Sequence, residues 1–115
     1  AYPGTGDASQ QGLHNNVLNL PISPGSDITV YQPLWENHIL PFLNNFSPDL
    51  LIVSAGYDAN ANDPLASVNL QPEDFSLFTE YCLSITRKIM FGLEGGYDLP
   101  SLAKSVIATI QTCIS

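Results

Sequence analysis

Basic residues are scarce in this sequence: 3 Lys and Arg stand against 11 Asp and Glu, giving a formal net charge of −8 over 115 residues. A protein that binds nucleic acid through a basic face needs the opposite balance, so this class is excluded. Long apolar runs are also lacking, and none approaches the ~18–20 residues of a membrane-spanning helix. An acidic surface can attract a cationic peptide or a polyamine, but it also keeps proteins soluble, and both explanations stay open.

Cysteine and histidine are equally sparse, with two of each in the chain. Cys82 and Cys113 fall in predicted helices without metal-type spacing, which predicts reduced core thiols, typical of a cytoplasmic protein. His38 is predicted on the apolar face of a helix as a packed core residue, and His14 in a polar loop. Because a catalytic zinc usually takes three protein ligands, the histidines alone do not indicate a zinc site.

Two similar stretches dominate what is present, LLIVSAGYDANANDPL at 50–65 and IMFGLEGGYD at 89–98. Each begins with a short apolar run, typical of a buried strand in a parallel sheet, and continues through glycine into polar residues. Functional groups in such sheets collect beyond the carboxyl ends of the strands. We therefore expect Asp58 and Tyr97 to emerge side by side from neighbouring strands and to face one pocket.

The whole chain has the order β-α-β-α-β-α, which predicts an α/β layered parallel sheet with right-handed crossovers. The expected strands are 17–22, 50–55 and 89–94. The first helix runs from Asp27, with Pro33 in its first turn and a kink at Pro41. The other helices open at 71–74 and 98–100, where proline and acidic residues suit a first turn. The residues expected to be buried on the last helix are Leu102, Ala103, Val106, Ile107, Ile110, Cys113 and Ile114.

Three strands make a thin sheet for a parallel fold. Parallel sheets are normally covered on both faces and flanked by further strands. The chain also begins at Ala1 without a methionine. We therefore expect residues 1–115 to be one part of a larger domain.

The polar residues after the first of these strands allow two explanations each. A carboxylate at Asp58 can bind a divalent cation in a cleft, or it can cap its own loop. Asp63 precedes Pro64, which favours a turn-forming role.

The glycine pair Gly95 and Gly96 lets the backbone approach a ligand closely and orients the side chain that follows. That side chain, Tyr97, can donate a hydrogen bond to an oxyanion or can simply pack in a β-α turn. A glycine loop that opens a helix also suits a nucleotide- or phosphate-binding module. The acidic neighbours Glu94 and Asp98 would repel phosphate and disfavour that alternative.

Several strings in order resemble the zinc-dependent histone deacetylase family, which includes bacterial acetylpolyamine and acetoin-utilisation relatives. The resemblance covers essentially the whole chain and corresponds to the C-terminal portion of the family's catalytic domain, of the arginase/deacetylase three-layer αβα type. The matching strings are YPGTG at 2–6, NLP at 19–21, PD at 48–49, SAGYDA at 54–59, DPL at 63–65, LEGGYDL at 93–99 and LA at 102–103.

The resemblance implies a zinc-dependent amide hydrolase acting on acetyl-lysine peptides, acetylated polyamines or other small acylated amines. It matches Asp58 to a zinc ligand and Tyr97 to the catalytic tyrosine that donates to the amide carbonyl. Gly95, Gly96 and Tyr2 match residues that line the acyl-lysine tunnel. The family's Asp-x-His zinc pair and its His-His pair are absent from this sequence. We therefore expect residues 1–115 alone to be inactive, and a non-catalytic scaffold remains an alternative.

Overall fold

The computed structural model describes residues 4–59, 61–62 and 68–115. Its helices and strands alternate along the chain and build a parallel α/β arrangement, which confirms the predicted fold class. In chain order the elements are α1 (Ile28–Leu34), a π-helical segment (Trp35–Ile39), α2 (Leu40–Phe46), β1 (Leu51–Ala55), a 3₁₀ turn (Tyr57–Ala59), α3 (Pro72–Ile85), β2 (Ile89–Leu93) and α4 (Leu99–Ile114).

The sheet in the described part of the chain contains β1 and β2, which pair in parallel from Leu51 opposite Ile89 to Ala55 opposite Leu93. The first strand expected at 17–22 was wrong, because that segment has no strand structure. An apolar run becomes a strand only when a neighbouring strand satisfies its backbone groups. Residues 17–22 have no such partner among the described residues.

The first helix is continuous but changes its winding between its two prolines. It begins at Ile28, with Asp27 as its N-cap, so Pro33 lies inside α1 and not in its first turn as predicted. The π-helical winding runs up to Ile39, and Leu40 donates its N–H to the oxygen of Trp35. Because Pro41 has no N–H to donate, the wider winding just before it accommodates the lost bond, and the kink expected at Pro41 stays a prediction.

The two faces of the sheet differ in cover. Val53 and Phe91 line a cavity whose other walls include residues of α1, the π-helical segment, α3 and α4, so these helices lie over that face. Ile52 and Met90, which are direct register partners, are exposed by 66% and 58%. The described elements therefore form a sheet with helices on one side and an open apolar face on the other.

Helix α3 begins as the sequence predicts, with Pro72 at its first position and a capping box between Gln71 and Asp74. It packs extensively on α4. Cys82 is buried in this region, while Cys113 is half-buried, and both are free thiols. His38 is exposed, which overturns its predicted role as a packed core residue. None of the helices in the described ranges is long and apolar enough to cross a membrane.

Candidate functional site

The loops that follow β1 and β2 are held together by backbone hydrogen bonds. Beyond the strands, the N–H of Glu94 donates to the oxygen of Ala55 at 3.0 Å. The N–H of Tyr57 then donates to the oxygen of Gly95 at 2.7 Å. The parallel ladder is thus extended past both strand ends, and it fixes the loop that carries Asp58 against the loop that leads to Tyr97.

Asp58 lies in the 3₁₀ turn, partly buried, with its carboxylate turned towards the glycine pair. A Cβ added to Gly95 would stand 2.7 Å from Asp58 Oδ2 and 2.9 Å from its Cγ. Real Cβ atoms do not approach other atoms so closely, so the missing side chain of Gly95 makes the space that the carboxylate occupies. Gly95 is itself buried. The Asp58 carboxylate therefore packs directly against the backbone of Gly95.

Gly96 turns the chain towards α4. Its φ of +153° lies at the edge of the region that glycine adopts most easily, and an added Cβ would stand 2.7 Å from the Cδ1 of Leu102. Tyr97 follows directly and is 54% exposed. The sequence prediction that Asp58 and Tyr97 follow neighbouring parallel strands is confirmed by the pairing of β1 and β2.

The N-terminus of α4 is capped by a residue of the chain itself. The Asp98 carboxylate accepts hydrogen bonds from the N–H of Ser101 at 3.1 Å and from the Ser101 hydroxyl. A carboxylate at this position uses the helix N–H groups that a phosphate would need. The arrangement therefore disfavours the nucleotide- or phosphate-binding alternative.

An apolar cavity of about 330 Å³ lies beneath the strand ends, between the sheet, α1 and α3. Its walls include Gly56 and Tyr57, but neither Asp58 nor Tyr97. The pocket that Asp58 and Tyr97 were expected to share is thus not this cavity, and the shared pocket stays a prediction. Tyr2 and Asp63, the other two residues singled out around the expected site, lie outside the described residues.

The described residues near the two loops provide one candidate metal ligand, Asp58, and not a complete metal site. Among the described residues, no group of three or more His, Cys, Asp or Glu side chains lies close enough together to hold a metal ion. His14 and His38 are both exposed, in a loop and in the π-helical segment. Asp58 offers an oxygen donor of the kind zinc accepts, and the remaining donors would have to come from another part of the protein.

Sequence reasoning did not single out Tyr57, which the structure places at the centre of this region. Its side chain is 5% exposed, and its ring lies 5.0 Å from that of Phe75. Its hydroxyl is 2.9 Å from Thr109 Oγ1 on α4. Its position between Gly56 and Asp58 was the only signal in the sequence, and such a position is equally typical of an ordinary turn.

Comparison with known proteins identifies relatives along the whole chain. The family model of the histone deacetylase domain matches residues 1–113. The uncharacterized protein slr0245 of Synechocystis is 56% identical over 110 residues, which are 96% of this chain and 36% of that protein. The chloroplastic histone deacetylase 10 of rice (Oryza sativa subsp. japonica) is 37% identical over 96% of this chain and 27% of its own length.

Solved structures agree with the sequence matches. The crystal structure of the HDA15 HD domain superposes with a TM-score of 0.92 at 34% identity, covering 98% of this chain and 34% of that one. The histone deacetylase Clr3 gives a TM-score of 0.90 at 31% identity, covering 98% and 20%. The chain thus spans about a third or less of the length of these relatives. By sequence and by structure, this chain belongs to the histone deacetylase family.

Proposed function

We propose that this chain supplies Asp58 and Tyr97 to a zinc-dependent deacetylase site that hydrolyses acetyl-lysine or acetylated amines. Membership of the histone deacetylase family supports the reaction class. The observation that carries the assignment of residues is the contact between the two loops. The Asp58 carboxylate lies against Gly95, two residues before Tyr97. A metal ligand and a hydrogen-bond donor are thereby held at the ends of two paired strands.

In this proposal Asp58 is one zinc ligand, and the others come from the rest of the deacetylase domain. Zinc, when bound, supplies Lewis acidity towards the amide carbonyl and makes a water more acidic. The phenol of Tyr97 donates a hydrogen bond to the carbonyl oxygen as negative charge develops there. By the family resemblance, Gly95 and Gly96 would lie beside the acyl tunnel, and Tyr2 would form part of its wall.

Among the described residues, no histidine is placed to act as a general base at this site. Both histidines are exposed and belong to segments other than the two loops. One carboxylate also holds zinc weakly, because catalytic sites use three protein ligands. We therefore propose that the chain is the C-terminal part of a single deacetylase domain and is inactive without the remainder. The predicted cytoplasmic location stays a prediction, and the rice relative is a chloroplastic protein.

The test uses a complete domain in which this chain replaces the matched 110 residues of the Synechocystis protein, called here the chimeric domain. We expect it to release acetate from an acetyl-lysine peptide or an acetylated polyamine, to lose activity on chelation and to regain it with zinc. The Synechocystis protein itself is assayed alongside. If that protein is active and the zinc-loaded chimera, although folded, is not, the proposed function is wrong.

Within the chimeric domain, Tyr97→Phe should lower kcat by ~100-fold or more, because one oxyanion donor typically contributes ~2.7–4 kcal/mol to the barrier. Tyr81→Phe is the matched control, since it removes a tyrosine hydroxyl that donates to Glu36 at 2.5 Å on the surface. Circular dichroism should show both variants folded. Near-normal turnover of Tyr97→Phe would contradict the role given to this residue.

A further inference from the structure

Tyr57 contacts the elements on both sides of the candidate site, although the proposed chemistry does not use it. It precedes Asp58 in the chain and is one of three apolar residues classed as buried in the described part of the molecule. We propose that Tyr57 is a positioning residue, which sets the Asp58 carboxylate and the Tyr97 phenol relative to each other. This proposal rests on the proposed function, because those two groups are the ones that it would align.

The first contact joins Tyr57 to the loop after β2. Its N–H donates to the oxygen of Gly95 at 2.7 Å. Its Cβ would stand 3.3 Å from a Cβ added to Gly96, so the Gly96 backbone lies against it. Any displacement of Tyr57 would thus move the glycine pair, and with it the start of the segment that carries Tyr97.

The second contact joins Tyr57 to the helix that begins after Tyr97. The hydroxyl of Thr109 donates its single proton to the oxygen of Ser105 at 3.1 Å. The 2.9 Å contact between the two hydroxyls therefore has Tyr57 as donor and Thr109 Oγ1 as acceptor. Thr109 is 5% exposed and Ser105 is fully buried, so water does not compete for this bond.

The third contact braces the ring itself. The Tyr57 ring lies 5.0 Å from that of Phe75 on α3, at an angle of 57°. Tyr57 is thereby held by α3 and α4 while its backbone holds the glycine loop. Residues that orient a metal ligand without touching the metal typically change metal affinity or activity 10- to 100-fold when replaced, so we expect an effect of about this size.

The experiment compares four variants of the chimeric domain. Tyr57→Leu removes both the ring contact and the hydroxyl, whereas Tyr57→Phe and Thr109→Val each remove the same hydrogen bond. Phe78→Leu is the control for lost core packing, since the ring contacts of Phe78 among the described residues are with Tyr31, Trp35 and Phe75, and it reaches Tyr57 only through Phe75. Zinc affinity, kcat, KM and amide hydrogen exchange of 55–59 and 94–98 are measured for each variant.

We expect Tyr57→Leu to weaken zinc binding and to lower kcat about 10-fold or more, with KM changed less than about twofold. Exchange in both loops should rise at least twofold, and Tyr57→Phe should recover most of the activity. Phe78→Leu should lower the melting temperature without these effects. Equal zinc affinity, kcat and loop exchange in Tyr57→Leu and Phe78→Leu would overturn the proposal.

Two further comparisons cover the cases in which Tyr57→Leu does not fold or the chimeric domain is inactive. If Tyr57→Leu does not fold, Tyr57→Phe, Thr109→Val and their double variant decide the matter. Each should raise exchange at 94–98, and the double variant should not exceed Thr109→Val, because that variant already lacks the bond to Tyr57 as well as its own bond to the oxygen of Ser105. Exchange equal to that of Tyr81→Phe would refute the role. If the folded, zinc-loaded chimeric domain shows no deacetylase activity while the Synechocystis protein is active, the proposed function fails, whereas loop exchange still decides whether Tyr57 positions the loops.

Discussion

At the scale of single residues, the space left by a missing side chain is what defines the candidate site. Gly95 and Asp58 meet because a hydrogen atom stands where other residues carry a Cβ, and the carboxylate fills that space. Gly92, only three positions earlier, has nothing within 4 Å of an added Cβ. The two glycines therefore have different roles although the sequence presents them alike.

Gly95→Ala in the chimeric domain should displace the Asp58 carboxylate, because the new methyl group would stand 2.7 Å from Oδ2. We expect zinc affinity to fall about 10- to 100-fold, the range for disturbed support of a metal ligand. Isothermal titration with zinc measures the effect. Gly92→Ala is the matched control and should bind zinc normally. Equal affinities in the two variants would contradict the proposed contribution of Asp58.

The sequence identified Asp58, Gly95 and Tyr97 as candidates but not Tyr57. The first three stand in polar or glycine-rich strings, where side-chain chemistry is visible in the residue types. The importance of Tyr57 depends on Gly95, Phe75 and Thr109, which are distant in the chain. Contacts of this kind are absent from local patterns.

At the scale of secondary structure, the most buried stripe of α4 is not the one expected, and Leu102, Val106 and Cys113 are only half-buried. The buried residues are Ser101, Ser105 and Thr109, while Ile107, Ile110 and Ile114 are exposed by 53%, 54% and 79%. Small hydroxyl side chains let α4 approach α3 closely, and the Ser76 hydroxyl donates to the oxygen of Ala108 at 3.3 Å. The hydroxyls of Thr109 and Ser101 can be buried because Thr109 bonds to the oxygen of Ser105 and to Tyr57, and Ser101 bonds to the Asp98 carboxylate. We expect these exposed isoleucines to be covered by another part of the deacetylase domain.

Helix α3 contains Cys82, and burial of its thiol should lower the thiol's reactivity. Burial, with a smaller contribution from Cys113, raises the pKa of Cys82 from 9.0 to about 11. The stability gained by burying the neutral thiol is present below pH 9 and is lost as the pH rises through 11. At pH 8 the thiolate fraction should be about 100-fold smaller than in the unfolded chain.

We therefore expect Cys82 in the folded chimeric domain to react with iodoacetamide at least ~100-fold more slowly than in urea at the same pH. Peptide mass spectrometry resolves this cysteine from any others. The rate in urea is the internal control. Equal rates in the folded and unfolded protein would show that α3 does not shield Cys82.

At the scale of the whole molecule, the described chain leaves one face of its sheet uncovered. Ile52 and Met90 lie side by side on that face, and neither strand has a second neighbour among the described residues. Parallel sheets are normally buried on both faces, and two strands alone are marginally stable. Since the chain covers 34% of the HDA15 domain at a TM-score of 0.92, the remainder of such a domain is the expected cover.

The double variant Ile52→Lys/Met90→Lys should affect the isolated chain and the chimeric domain differently. In the isolated chain both side chains face solvent, so the change should alter stability by less than ~0.5 kcal/mol and reduce aggregation. In the chimeric domain it should cost more than ~2 kcal/mol, because two ammonium groups would be buried. Thermal melting and light scattering measure these effects, and Leu13→Lys, at a position 99% exposed, is the control. An unchanged melting temperature of the chimera would refute the proposed cover.

The sequence by itself determined the elements whose signals are local. Both strands were predicted within one residue of β1 and β2, and the starts of α3 and α4 followed from Gln71-Pro72 and from Asp98 with Pro100. Tertiary structure alone decided that residues 17–22 form no strand, that α4 buries its hydroxyls, and that Asp58 rests against Gly95. Each of these outcomes depends on residues distant in the chain. A local residue pattern does not show which distant residue will pack against a given position, or at what distance.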